Sequence, residues 1–239
     1  MINIERVCIS GWWAAIRGAR NALNSWDRSD SIFRLDDGPV GIDILGAPVE
    51  LSGEIDWMAG PFEKLIIGPN DLDLMMRLSR GGGDEAKYRR FIDISFDVTA
   101  PLYWWKQADT YRVGVAEVPT DIESNSCSTM HKIHAKALTT ADFSCEYLYS
   151  DELECLENTI KTINSDRELY LDGKRKADWM QMIQLLPDSY NQKRTIQMNY
   201  QVLAGIYPKR KWHKLSEWVD FCKWIETLPY SQLITLEEG

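Results

Sequence analysis

Between Phe91 and Arg112 the chain reads FIDISFDVTAPLYWWKQADTYR, and few local structures accommodate that order. Ile92, Ile94, Phe96 and Val98 alternate with Asp93, Ser95 and Asp97, a period of two that belongs to a strand with one face on a core and the other wet. Thr99 is placed to cap a helix and Pro101 to stand in its first turn, where a missing N–H costs nothing. The strand is therefore expected to turn directly into a helix carrying Tyr103, Trp104, Trp105, Lys106 and Gln107. A polar cluster of Asn125, Ser126, Ser128 and Thr129 follows. Strand, aromatic-basic helix and hydroxyl-rich loop suit a planar anionic ligand, because rings stack on a base while a cation and hydroxyls hold a phosphate. Trp104 and Trp105 are adjacent and so face different ways, which leaves at most one of them for stacking.

The flanking segments read more plainly. Trp12 or Trp13, Ala15, Ile16 and Ala19 recur at helical spacing, and the tail NSWDRSDS after them is rich in cap and turn residues. From Ile32 to Glu63, Gly and Pro recur often enough to break the chain into short strands or an irregular insertion. Asn70 or Asp71 is expected to cap a helix with Leu72, Met75, Met76 and Ser79 inward. Gly81, Gly82 and Gly83 end it; a glycine-rich phosphate cradle would instead follow a strand and open a helix. His131 to Ser150 reads either as a strand or as an extended run on the alternation of Phe143, Cys145, Tyr147 and Tyr149. The C-terminal half then reads as mostly helical: from Asp151 with Leu153, Leu156, Ile160 and Ile163 inward, from Lys174 to Leu186, from about Arg194 to Tyr207, and from about Leu215 to Thr227.

A chain of 239 residues suits one domain, 1–239, with the insertion at about 32–63. Its net charge of −9 argues against a polymeric nucleic-acid partner, although a local basic site for one phosphate is compatible with an acidic whole. No apolar run reaches bilayer length and no signal peptide is visible, so a cytoplasmic location is expected. Five cysteines without paired spacing predict free thiols. Cys127, His131 and His134 have ligand-like spacing but lack a fourth partner, so no metal site is assigned. Ten tryptophans are most simply used at subunit interfaces, which predicts a homo-oligomer.

Three blocks carry a resemblance. The first is AP-x4-KQ from Ala100 to Gln107, with Thr110, Tyr111 and Arg112 after it and Asn125 and Ser128 beyond. The second is LPDSYNQKRTIQMNYQVLAGIYPKR, with Leu186, Pro187, Asn199, Leu203 and Arg210 at its fixed positions. The third is AAIRGARNALNSWD. Together they resemble the flavin-dependent thymidylate synthase family, in a divergent form of the phage type. Lys106 and Gln107 stand at that family's Arg-Gln pair, and Thr110, Tyr111 and Arg112 at its Arg-His-Arg signature. Gln201 stands where the family has an Arg, and Asn24 or Ser25 is nearest to a flavin-contacting Ser.

The resemblance implies an α/β (α+β) fold, a mixed or antiparallel sheet with a mostly helical C-terminal half, assembled as a homotetramer. It implies FAD and dUMP held between subunits, and reductive methylation of uracil C5 with methylenetetrahydrofolate and NADPH. Carried over residue by residue, Ser25, Arg112 and Asn199 would face the cofactor. Lys106, Gln107, Tyr111, Ser128 and Arg210 would face the nucleotide, with Ser128 also the catalytic candidate. Thr110, Ser126, Met130 and Gln201 stand where charged groups would be, and each charged hydrogen bond lost weakens binding by roughly 1.5–3 kcal/mol. That pattern counts against FAD and favours nucleotide binding without turnover, for instance sequestration of a nucleotide signal used in host defence. The alternative is FAD-dependent C5 methylation of dUMP or a related pyrimidine nucleotide.

Overall fold

The computed structural model describes residues 2–34, 40–43, 48–50, 64–112, 123–126 and 129–236. In chain order the elements are β1 (Asn3–Ser10), α1 (Trp12–Asn21), β2 (Ile32–Arg34), β3 (Val40–Ile42), β4 (Pro48–Glu50), β5 (Lys64–Ile66), α2 (Pro69–Arg80), β6 (Asp93–Pro101) and α3 (Leu102–Ala108). There follow β7 (Glu123–Ser126), α4 (Thr129–Lys132), α5 (Ser150–Gly173), α6 (Lys176–Leu185), β8 (Asn191–Asn199), α7 (Tyr200–Arg210), α8 (Ser216–Glu226) and α9 (Gln232–Thr235). One four-stranded sheet has the order β1-β6-β8-β7 and a second the order β4-β3-β2-β5. In the second, β2 pairs antiparallel with both β3 and β5, and β3 with β4. Of the segment 32–63, expected as short strands or an irregular insertion, the described residues supply three short strands.

The chain forms two compact units. The first is Met1–Glu5, Asp97–Val113 and Ser124–Thr195; the second is built mainly from Arg6–Phe96 and Ile196–Gly239. In the first, α5 and α6 close over Ile133, Leu138, Phe143, Leu156, Ile160, Ile163 and Met182, all buried. Phe143 makes an isolated bridge to Tyr190 after a 3-10 turn at Thr140–Asp142, so the extended run expected through Tyr149 reduces to that one bridge.

In the second unit α1 buries Trp12, Ala15, Ile16 and Ala19, the stripe its spacing predicts. Trp12 meets Tyr200 and Tyr230 edge-on at centroid distances of 5.3 and 5.4 Å. Gly11, which precedes the helix, has φ +86, and a Cβ there would stand 1.8 Å from the Phe91 carbonyl oxygen. Only glycine meets both conditions.

Three expectations are corrected. Neither Asn70 nor Asp71 caps α2: Gly68 is the cap and Pro69 opens the helix. The first N–H groups are satisfied from a distance, since Asp30 accepts from Asn70 N at 2.9 Å and Asp71 N at 3.1 Å. Thr99 is no cap either, because β6 continues through it to Pro101. The helix expected from Arg194 begins at Tyr200, and Asn191–Asn199 is strand β8, with Gln192, Ile196 and Met198 buried. The strand passes into the helix without a turn because Asn199 ends the one and caps the other, its side chain accepting from Val202 N at 3.1 Å.

Candidate functional site

The second unit contains a cleft of about 580 Å³ along one face of α7, lined by Gln201, Ala204, Gly205 and Pro208, by Arg89, and by Lys209 and Lys211. Residues four and seven apart lie on one side of a helix, which is why 201, 204, 205 and 208 form its floor. Among the described residues no carboxylate lines it. Arg89 is 1% exposed, and Lys209 has no hydrogen-bond or ion-pair partner among the described residues. Lys211 sits near the Tyr207 ring, 5.7 Å from its centroid, and the Tyr207 hydroxyl donates to Glu226 at 2.7 Å. Burial and the charges of Arg210 and Lys214 hold the His213 imidazole below its ordinary value, a mark of the positive field at this end of α7. In a chain of net charge −9 this is a local basic site suited to a phosphate.

The floor is shaped for close approach. Among the described residues, and apart from the chain neighbours and the helix's own backbone, no atom lies within 4 Å of where a Cβ would stand on Gly205 or Gly83. Gly205 lies in mid-helix, where glycine costs about 0.5–1 kcal/mol against alanine and here gains no packing in return. Gln201 is 7% exposed, and its amide Oε1 is sealed from solvent without a partner among the described residues.

Sequence reasoning had assigned other residues, and the structure gives most of them identifiable work. Ser25 is 6% exposed and its Oγ lies 3.5 Å from Arg20 Nη1. Asn199 is the cap of α7. The Arg210 guanidinium lies 4.6 Å over the Trp218 ring. In the first unit Lys106, Gln107 and Tyr111 follow one another along α3 and the 3-10 turn Asp109–Arg112. Lys106 pairs with Asp188 at the surface. The Arg112 side chain, Cys127, Ser128 and most of the loop 113–124 lie outside the described residues. Trp104 and Trp105, offered as stacking platforms, are 1% and 2% exposed and pack edge-on against each other, so both belong to the core.

Two arrangements were not anticipated. Arg194 on β8 stacks 4.2 Å over Trp105, donates from Nη1 to Asp109 at 2.7 Å and from Nε to Gln192 at 2.8 Å. Gln192 in turn donates to Thr129 Oγ1 at 2.9 Å, directly after Ser128. The available signal was the alternation of Gln192, Arg194, Ile196 and Met198, which the helical reading obscured. The second is the α7 cleft, whose walls come from segments distant in sequence. Among the described residues no cluster could hold a metal ion, and no helix is long and apolar enough to cross a membrane.

No family model and no curated protein sequence matches the chain. Solved structures do. A flavin-dependent thymidylate synthase, ThyX, from Helicobacter pylori complexed with FAD and dUMP is similar at TM-score 0.58 and 14% identity, over 97% of this chain and 98% of that one. A UMP/dUMP methylase, PolB, from Streptomyces cacaoi bound with 5-Br dUMP is similar at TM-score 0.57 and 14% identity, over 97% and 93%. The same methylase bound with 5-Br UMP gives 0.53 at 13% identity, over 97% and 92%. At such identity the likeness concerns the backbone, and it extends over nearly the whole chain. The mixed helical and antiparallel architecture expected from the three sequence blocks is present: this chain has the fold of the flavin-dependent thymidylate synthases.

Proposed function

We propose that this chain is a nucleotide-binding protein. The observation that carries the reading is the α7 cleft, basic and, among the described residues, lined by no carboxylate, with a glycine floor that lets a flat ring lie against the helix backbone. Neighbours of the same fold that hold FAD, dUMP or a 5-bromo uridine nucleotide support it. The resemblance in the sequence, not the cleft, supports Ser25, Arg112 and Asn199 as the cofactor side. Lys106, Gln107, Tyr111, Arg210 and Ser128 belong to the nucleotide side, Ser128 being the candidate for chemistry. The ligand is shared between subunits of a homotetramer.

FAD is the cofactor the fold suggests, and the cleft suits the class it belongs to, a ring system carrying phosphate: open space over Gly205 receives a ring, and Lys209 and Lys211 face an anion. A bound flavin would supply hydride chemistry; the chain's own part is to hold the phosphates and keep water from the ring. The charges missing at Thr110, Ser126, Met130 and Gln201 favour binding without turnover as the primary role.

The test is a thermal-shift series with UMP, dUMP and FAD, together with the absorbance of the purified protein near ~450 nm, where a held flavin shows. Stabilisation by a uridine nucleotide is expected. A melting temperature unmoved by all three at saturation overturns the reading.

A further inference from the structure

Resting on that reading, we infer that Arg194 is a positioning residue of the nucleotide side. From β8 its one guanidinium sets the segments on which Lys106, Gln107 and Tyr111 lie and the one that Ser128 leads into, without itself holding a ligand. Every group it engages belongs to the first unit.

Arg194 reaches three segments at once. Its guanidinium lies 4.2 Å over the Trp105 ring of α3, and its Nη1 donates at 2.7 Å to Asp109, which opens the 3-10 turn Asp109–Arg112. Its Nε donates to Gln192 Oε1 at 2.8 Å, which turns the Gln192 amide nitrogen toward Thr129 Oγ1, 2.9 Å away at the start of α4. The Trp105 indole donates in addition to the Gln192 carbonyl at 3.0 Å. Lys106 and Gln107 follow Trp105 directly, Tyr111 stands two places after Asp109, and Ser128 one before Thr129. Of the nucleotide-side residues, all but Arg210 thus stand within two positions of a group that this network holds.

Arg194 is placed to direct rather than to bind. Its side chain is 13% exposed, and a stack and two hydrogen bonds already occupy it. Nor is filling the core its work. The next inward positions of β8, Ile196 and Met198, are apolar and buried, and hydrocarbon at 192 and 194 would pack beside them without desolvating a guanidinium. What apolar contact lacks is direction: a planar fork and a carboxamide each fix an angle as well as a distance, and a chain of such bonds holds its members to one arrangement. Gln192 and Thr129, 8% and 7% exposed, carry that direction through the interior. α4 has a separate anchor, since Trp179 Nε1 donates to the Met130 carbonyl at 3.1 Å. Cutting the bond between Gln192 and Thr129 therefore leaves the segment attached and frees its first residue to turn, and displacing a binding group by about 1 Å is enough to weaken a ligand.

The experiment is calorimetric titration of the full chain with UMP, dUMP and FAD, on the wild type, Gln192→Met, Thr129→Val, the two combined, and Gln192→Glu, each shown folded by its urea transition. The wild type is expected to bind a uridine nucleotide, and Gln192→Met and Thr129→Val to bind it roughly tenfold more weakly. Combined, the two should bind within about threefold of the weaker single variant, because both cut the same bond. Gln192→Glu should return to within about threefold of wild type, since its carboxylate accepts from Arg194 Nε and the Thr129 hydroxyl turns to donate. A network that served stability alone would shift the urea midpoints and leave the affinity of the folded protein where it was. Single variants that bind as tightly as wild type, losses that multiply in the combined variant, a Gln192→Glu as weak as Gln192→Met, or a wild type that binds FAD and neither uridine nucleotide would overturn the inference and leave nucleotide binding standing. Should Gln192→Met not fold, Thr129→Val and Gln192→Glu decide on the same terms. A wild type bound by none of the three ligands would overturn the inference and the binding reading together.

Discussion

Asp71→Asn should unfold this protein more readily than its conservative size suggests. Asp71 is 1% exposed, and its carboxylate accepts from Arg20 Nε at 2.6 Å, Ser29 Oγ at 2.7 Å, Ser31 Oγ at 2.6 Å, Asp30 N at 3.1 Å and Ser31 N at 3.0 Å. Arg20, 4% exposed, also donates to the Arg28 carbonyl at 3.0 Å and the Ser25 hydroxyl at 3.5 Å. One buried ion pair thus ties α1 to α2 and folds the loop between Ser25 and Ser31 around itself. An asparagine amide sets its NH2 either against Arg20 Nε or against the Asp30 and Ser31 backbone N–H groups, which can only donate, and leaves the guanidinium charge uncompensated. Breaking a buried pair from one side costs about 3–5 kcal/mol, against a total of roughly 5–15 for a domain.

With a urea slope of about 2–3 kcal/mol/M, the midpoint should fall by roughly 1–2.5 M. Arg20→Met with Asp71→Leu should recover most of that, since neither charge is then buried alone. A midpoint lowered by less than about 0.3 M in Asp71→Asn would refute the argument. The pH dependence supplies an independent check. Burial alone would raise the Asp71 carboxyl, but hydrogen bonds from Ser29, Ser31 and Arg20 and the Arg20 charge outweigh it and hold the group below its ordinary 3.8. A depressed carboxylate contributes stability that is present above its unfolded value and lost as pH falls through the folded one. The wild type should therefore lose stability below about pH 4 more steeply than Asp71→Asn, which has no carboxyl to protonate there.

Two further outcomes are expected. Arg194→Lys keeps the charge but loses the planar stack on Trp105 and the paired bonds to Asp109 and Gln192, so a loss of roughly 1–3 kcal/mol should appear in urea unfolding together with altered tryptophan emission; wild-type values for both would show that a point charge suffices. The Cys222 thiol is pushed up to about 12 by burial and by Glu226, so at pH 8 a disulfide reagent should label exposed Cys155 in the folded protein and reach Cys222 only in denaturant; peptide mapping that finds both labelled at equal rates in the native state would contradict this.

What the sequence discloses here follows from how local each determinant is. β6 was legible because Ile92, Ile94, Phe96 and Val98, all 1% exposed or less, write their burial into a period of two. α1 and α8 were legible in the same way, from stripes at helical spacing. β8 was not, because its alternation runs into α7 through one residue, Asn199, with no glycine or proline between, so a helical period could be fitted across the junction. The cap of α2 was out of reach for a different reason: its acceptor, Asp30, stands forty residues from Asn70.

The same distinction decides the candidate site. Lys106, Gln107 and Tyr111 could be named from one stretch because a strand-to-helix turn fixes their order locally. The cleft on α7 needs Arg89 and Gly83 beside residues more than a hundred positions later, and its most informative feature is an atom without a partner. A sequence shows that position 201 holds glutamine; only the packing shows that nothing in the described chain answers its amide. A buried polar group left in that state is costly. Gln201 and the unobstructed backbone at Gly205 each lower the stability of the fold, and both lie on the face of α7 that lines the cleft, so the cost is concentrated where segments distant in sequence meet.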